Sequence, residues 1–116
     1  MSEKTVFSRI IEGEVPADLV YEDEHVVAIR DINPAAPVHI LVIPRKPVPS
    51  LVHLEEGDVE LAGRLLLAVR AIAEQEGIAE DGFRLTVNTG EQGGQTVPHL
   101  HLHILAGKRF TEGSMR

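Results

Sequence analysis

The sequence predicts an α+β domain in which an antiparallel sheet of about five strands carries one long and one short helix packed on one face. Three observations carry that prediction. Five short segments have strand patterning, and most neighbours are joined by connections too short for a parallel crossover. One segment, at about 56–76, sustains apolar residues at helical spacing over several turns. Near the end, Val97-Pro98-His99-Leu100-His101-Leu102-His103-Ile104-Leu105 alternates strictly and holds three of the chain's six histidines at every second position.

In chain order, residues 5–12 place Phe7, Ile10 and Ile11 at helical spacing, with Thr5 as N-cap and Gly13 as stop. Leu19 to Glu22 and His25 to Arg30 read as strands joined by the acidic turn Asp23-Glu24. Two prolines make Asp31 to Pro37 a loop. Val38 to Ile43 is a strand closed by Pro44, with His39, Leu41 and Ile43 on one face and Ile40 and Val42 on the other. In the long helix, Val59, Ala62, Leu66, Val69 and Ala73 form one apolar row, Leu61, Leu65 and Ile72 a second. Asp58 stands near its start, where the helix dipole favours a negative charge, and Gly77 ends it. Phe83 to Asn88 alternates as a strand, and the loop Thr89 to Thr96 leads into the histidine segment.

Composition narrows the function classes. The 116 residues make one domain with an aliphatic core, since only 3% are aromatic and Trp is absent. With no Cys there is no disulfide, thiolate metal site or cysteine nucleophile. A net charge of −7 argues against a nucleic-acid backbone partner. The N-terminus lacks a signal-peptide pattern and no apolar run is long enough for a membrane span, so a cytoplasmic location and no membrane partner are expected.

The chemistry gathers at the histidines. On a strand, His99, His101 and His103 share one face, roughly 6.6 Å apart, while Leu100, Leu102 and Ile104 fill the other. Imidazoles so placed can ligate a metal, move protons or attack as nucleophiles. No carboxylate is evident beside them as a metal second shell. The preceding Gly93-Gly94-Gln95-Thr96 offers unobstructed backbone N–H groups, an amide and a hydroxyl, which suit a phosphate. An anion site beside neutral imidazoles favours the nucleophile, attacking phosphorus to give a P–N bond, so phosphoramidates are natural substrates. His39, on another strand, either orients a ring of the triad or is a satisfied sheet histidine. Asp31 either binds a ribose diol or caps its loop.

These residues resemble the histidine-triad superfamily, in particular its Hint branch. The signature His99-Leu100-His101-Leu102-His103-Ile104-Leu105 is accompanied by Phe7 to Ala17, Asp31-Ile32-Asn33-Pro34, His39 to Pro44, Asn88-Thr89-Gly90 and Gly93 to Val97, all in the family's order. The similarity spans about residues 5–108. It implies a single histidine-triad domain over 1–116 that hydrolyses purine nucleoside 5′-phosphoramidates, including lysine-linked adenylates, and a homodimer whose sheets join into one.

Carried over by position, the resemblance makes His101 the nucleophile, His103 and His39 its supporting histidines, and His99 the residue that fixes His101. Asp31 holds the ribose with Ile32 beside the base. Asn88, Gly94, Gln95 and Thr96 surround the α-phosphate, and Phe7, Val15, Ile29 and Leu41 wall the purine. His103 is expected to protonate the departing amine. The family requires no metal or other cofactor. In place of the family's tryptophan-proline tail this chain ends Lys108 to Arg116, and Ala106-Gly107 replaces a Gly-Gly. Three other readings remain open: a non-catalytic nucleotide-binding module, a dinucleoside polyphosphate hydrolase and a zinc hydrolase.

Overall fold

A computed structural model describes residues 4–111. Its elements run α1 (Val6–Ile11), β1 (Leu19–Glu22), β2 (Val26–Arg30), β3 (Val38–Pro44), two 3₁₀ turns (Leu51–His53 and Glu56–Asp58), α2 (Val59–Gln75), β4 (Arg84–Thr86) and β5 (Leu102–Ala106). The strands form one antiparallel sheet ordered β1-β2-β3-β5-β4, as the short connections require.

Alternation along β3 sorts the molecule into two layers. Ile40 and Val42 point into the main core with Leu65, Val69 and Ile72 of α2 and with Leu100, Leu102 and Ile104. Leu41 and Ile43 point the other way, where Phe7, Ile10 and Ile11 of α1 pack over them. The helices therefore lie on opposite faces of the sheet, not on one. The cause is sequence order. The aliphatic stripe of α2 covers the Leu100-Leu102-Ile104 face, which leaves α1, with Phe7, to cover the histidine face.

Local chemistry explains the boundaries. Thr5 caps α1 by accepting the Ser8 N–H at 3.1 Å, a bond worth about 0.5–2 kcal/mol. Asp23 shapes the β1–β2 turn by accepting the N–H groups of His25 and Val26 at 2.7 and 2.8 Å. That cap holds His25 outside β2. Asp58 is buried and precedes α2; it accepts from Lys46 Nζ at 2.6 Å and from the Glu55 N–H at 2.9 Å. The first expected turn of the long helix is 3₁₀, since Glu55 and Asp58 close a capping box around it. The buried stripe of α2 is Leu65, Ala68, Val69, Ile72 and Ala73. Val59 and Leu66, expected in an apolar row, are 75% and 58% exposed. Strand β4 is three residues long, shorter than the alternation from Phe83 to Asn88 indicates.

Candidate active site

The histidine segment is only half a strand. β5 starts at Leu102, residues 100–101 precede it outside any regular element, and 97–99 form a bend. Pro98 has no N–H to donate to a ladder, while the N–H groups of His99 and Leu100 donate to the Val97 and Val48 carbonyls at 2.8 and 2.7 Å. The expected alternation of faces survives. Leu100, Leu102 and Ile104 enter the main core, and the imidazoles form a connected row toward α1 and β3.

Each ring's partners assign its tautomer. His99 donates from Nε2 to the Pro44 carbonyl at 2.8 Å, so its Nδ1 accepts from the Thr5 and Ser8 hydroxyls, both 3.4 Å away. His101 donates from Nδ1 to the His99 carbonyl at 2.7 Å, which leaves a lone pair on Nε2. At His39, the Ala35 N–H donates to Nδ1 at 3.0 Å. Nε2 of the neutral ring must therefore hold the proton, which it donates to Nδ1 of His103 at 2.9 Å. His103 in turn holds its own proton at Nε2. The row thus offers one nucleophilic lone pair, on His101, beside one N–H donor, on His103.

Burial reinforces these states. Desolvation holds His39 and His99 below the ordinary histidine value; the charge of nearby Asp31 raises His39, and the Pro44 carbonyl raises His99, but neither prevails. Desolvation, with the like charges of His101 and His39, pushes His103 down to about 4. His103 is therefore neutral near pH 7. At that pH it presents its Nε2–H as a hydrogen-bond donor.

A cavity of about 310 Å³ opens beside the row. Phe7, Val15, Ile29 and Leu41 line its apolar wall, and Asp31, Ile32, Thr96, His101 and His103 reach it as well. Phe7 stands edge-on to His101 at 4.9 Å between ring centroids. Asp31 accepts the Asn33 N–H on Oδ1 at 2.8 Å and sets Oδ2 3.5 Å from His39 Nε2. It caps its loop and also faces the site. A larger cleft, about 390 Å³, lies between residues 81–84 and 108–111 and has no histidine in its lining.

Some expected phosphate ligands are otherwise engaged. Gln95 accepts the Gly90 N–H on Oε1 and donates from Nε2 to the Pro49 and Val97 carbonyls, at 2.9, 2.7 and 2.9 Å. The Gly94 N–H donates to the Glu91 carbonyl at 3.1 Å, with φ at +77°. Both residues build the loop and are absent from the cavity lining. Asn88 donates to the Gly93 carbonyl at 2.8 Å and lines, with His39, an adjacent hollow. Sequence reasoning did not single out Thr5, Ser8, Ala35 and Pro44 as groups that orient the rings. Two of these act through backbone atoms, which leave no residue-type signal.

A carboxylate does stand beside the histidines, contrary to the sequence expectation. Asp31, His39 and His103 each offer a donor atom within 4.8 Å of the others. The tautomers do not fit a metal there, because the Ala35 N–H occupies Nδ1 of His39 and makes Nε2 a proton donor.

The HIT domain family model matches residues 12–110. The chain is 49% identical to the purine nucleoside phosphoramidase of Escherichia coli over 93% of this chain and 91% of that protein. It is 47% identical to the 14 kDa zinc-binding protein of Zea mays, over 91% and 84% respectively. A HIT family hydrolase from Clostridium thermocellum superposes with a TM-score of 0.91 at 44% identity, covering 96% of each chain.

Proposed function

The chain belongs to the HIT domain family, and from that premise we propose that it hydrolyses purine nucleoside 5′-phosphoramidates, such as adenosine 5′-monophosphoramidate or lysyl-adenylate. The observation that carries this reading is the His101–His99 pair: Nδ1 donates to the His99 carbonyl at 2.7 Å, so Nε2 offers its lone pair at the wall of the cavity. The purine lies against Phe7, Val15, Ile29 and Leu41 with Ile32 at its edge, and Asp31 takes the ribose hydroxyls. His101 Nε2 attacks the α-phosphorus, the P–N bond of the substrate breaks, and a nucleotidyl-histidine forms. Thr96 and the Nε2–H of His103 donate to the phosphoryl oxygens, with Asn88 beside them and Gly94 and Gln95 holding the loop. A water gives the amine its proton as the P–N bond breaks, with the Nε2–H of His103 hydrogen-bonding beside it, and the hydroxide so formed adds to the nucleotidyl phosphorus and regenerates His101. Positioning and fixed dipoles supply the acceleration.

No step is routed through a metal. A plant relative is named as zinc-binding, and Asp31, His39 and His103 are close enough to one another to invite that reading. The hydrogen-bonded tautomer of His39 opposes it.

A homodimer completes the proposal. β4 is the sheet's last strand, and Phe83 and Leu85 beside its open edge are each 37% exposed, a surface suited to pairing with the same strand of a second copy. A panel of adenosine 5′-phosphoramidates carrying fluorescent amines tests the activity. Release of the amine supports it, and AMP binding without release would assign the chain to the non-catalytic module.

A further inference from the structure

One loop reaches both nitrogens of the His39 ring. The pairing of β2 with β3 ends at Arg30 opposite Ile40, and the next residue, Asp31, donates its N–H to the His39 carbonyl at 3.0 Å. Residues 31–37 then span the gap between the strands. Within them, Ala35 donates its N–H to Nδ1 of His39 at 3.0 Å, and Asp31 sets Oδ2 3.5 Å from Nε2. The Ala35 bond excludes the other tautomer, so the ring proton stays on Nε2 and only its direction can change.

That proton has two acceptors. Nδ1 of His103 lies 2.9 Å from Nε2, and the Asp31 carboxylate is farther but charged. A charged acceptor makes a hydrogen bond roughly twice as strong as a neutral one, so the longer contact still competes with the shorter. Asp31 and His103 both line the nucleoside cavity, whereas His39, 8% exposed, does not. A ligand in the cavity meets the two acceptors, and His39 joins them from behind.

Building on the phosphoramidase reading, in which Asp31 takes the ribose hydroxyls, we propose that His39 is a positioning residue that relays the ribose to His103, so that the sugar is read in P–N cleavage as well as in binding. Ribose O–H groups donate to the Asp31 carboxylate and spread its charge, which weakens its pull on the His39 proton. The His39 N–H then belongs undivided to His103. It keeps the His103 proton at Nε2 and polarises that N–H, which strengthens its donation to the phosphoryl oxygen. Without the hydroxyls, the His39 N–H is shared between Asp31 and His103, and its hold on the His103 tautomer weakens.

The test measures the rate constant of P–N cleavage in single turnovers at saturating protein, for adenosine 5′-monophosphoramidate and its 2′,3′-dideoxy counterpart. Under saturation this constant contains neither the binding step nor the fraction of folded protein. Wild-type protein should cleave the ribose compound at least tenfold faster. His39→Gln places two N–H donors on one nitrogen, one for each acceptor, so the ratio should fall close to one while the ribose compound still binds more tightly. Asp31→Asn keeps an oxygen for the Asn33 N–H but removes the charged competitor, so it should cleave the dideoxy compound faster than wild type does. A ratio near one in wild type, a wild-type ratio in His39→Gln, or a dideoxy rate in Asp31→Asn no faster than that of wild type would overturn the relay and leave the phosphoramidase reading intact. If His39→Gln does not fold, the Asp31→Asn rate alone decides. Failure of wild-type protein to cleave either compound would overturn both.

Discussion

The Nδ1–H of His101 donates to the carbonyl of His99 at 2.7 Å, a bond between two residues that both stand outside the strand bearing the third histidine of the row. In a regular ladder the His99 carbonyl would pair with a neighbouring strand. Because β5 begins at Leu102, that carbonyl is available to the ring two residues on. The bond selects one tautomer and directs Nε2 into the cavity. His99 thus acts through its backbone, while its own ring, 1% exposed, is fixed between Pro44 and α1.

Asp31→Ala should weaken binding of AMP more than binding of its 2′-deoxy counterpart. A charge-assisted hydrogen bond to a ribose hydroxyl is worth about 1.5–3 kcal/mol, and the deoxy ligand already lacks one. Loss of the Asn33 loop cap affects both ligands alike and cancels in the comparison. Equal losses by calorimetry would confine Asp31 to its loop.

Stability should fall with acid through the histidine row. His103 is held at about 4 in the fold, below its ordinary 6.5, so the unfolded chain binds that proton more tightly. The contribution to stability is complete above 6.5 and is lost as pH falls toward about 4. His39 and His99, also held down by burial, act in the same direction. Thermal melts across this range should show a smaller acid-induced loss in His103→Gln than in wild type. Parallel profiles would contradict the account.

The sheet and both helices were legible in the residues, and the cavity wall only through the family resemblance. Strand alternation placed Leu41 opposite in face to Ile40 and Val42, and separated positions such as Phe7, Ile29 and Asp31 do line one cavity. The placing of both helices on one face failed because periodicity finds an apolar stripe without saying which layer it covers. Val59 and Leu66 failed for a related reason, since a helix can present a second apolar row to solvent. Gln95 has the composition of a phosphate ligand, yet three loop groups occupy its amide. Asp31 is 72 residues from His103 in sequence, so no local pattern revealed the carboxylate beside the row. The expectations for residues 112–116 of the tail lie outside the described residues.

Gly93→Ala should cost about 1–3 kcal/mol, the range for forced overpacking. A Cβ on Gly93 would overlap the backbone carbonyl oxygen of Thr89, which cannot swing aside as a side chain can. The Gly93 carbonyl also anchors Asn88, so kcat/KM should fall with stability. Wild-type values of both in denaturant titration and turnover would show that the loop absorbs the methyl group.

Exhaustive chelation should leave turnover unchanged, because the Ala35 N–H keeps His39 from presenting a lone pair at Nε2. Stoichiometric zinc in purified protein, with activity lost on its removal and restored on its return, would contradict this.

The central claim is that Nε2 of His101 attacks phosphorus, and acid-quenched mass spectrometry during turnover of adenosine 5′-monophosphoramidate tests it most directly. The account predicts an adenylyl adduct on His101, and no adduct or turnover in His101→Ala, which should still bind AMP. Sustained turnover by His101→Ala, or an adduct on any other residue, would contradict it.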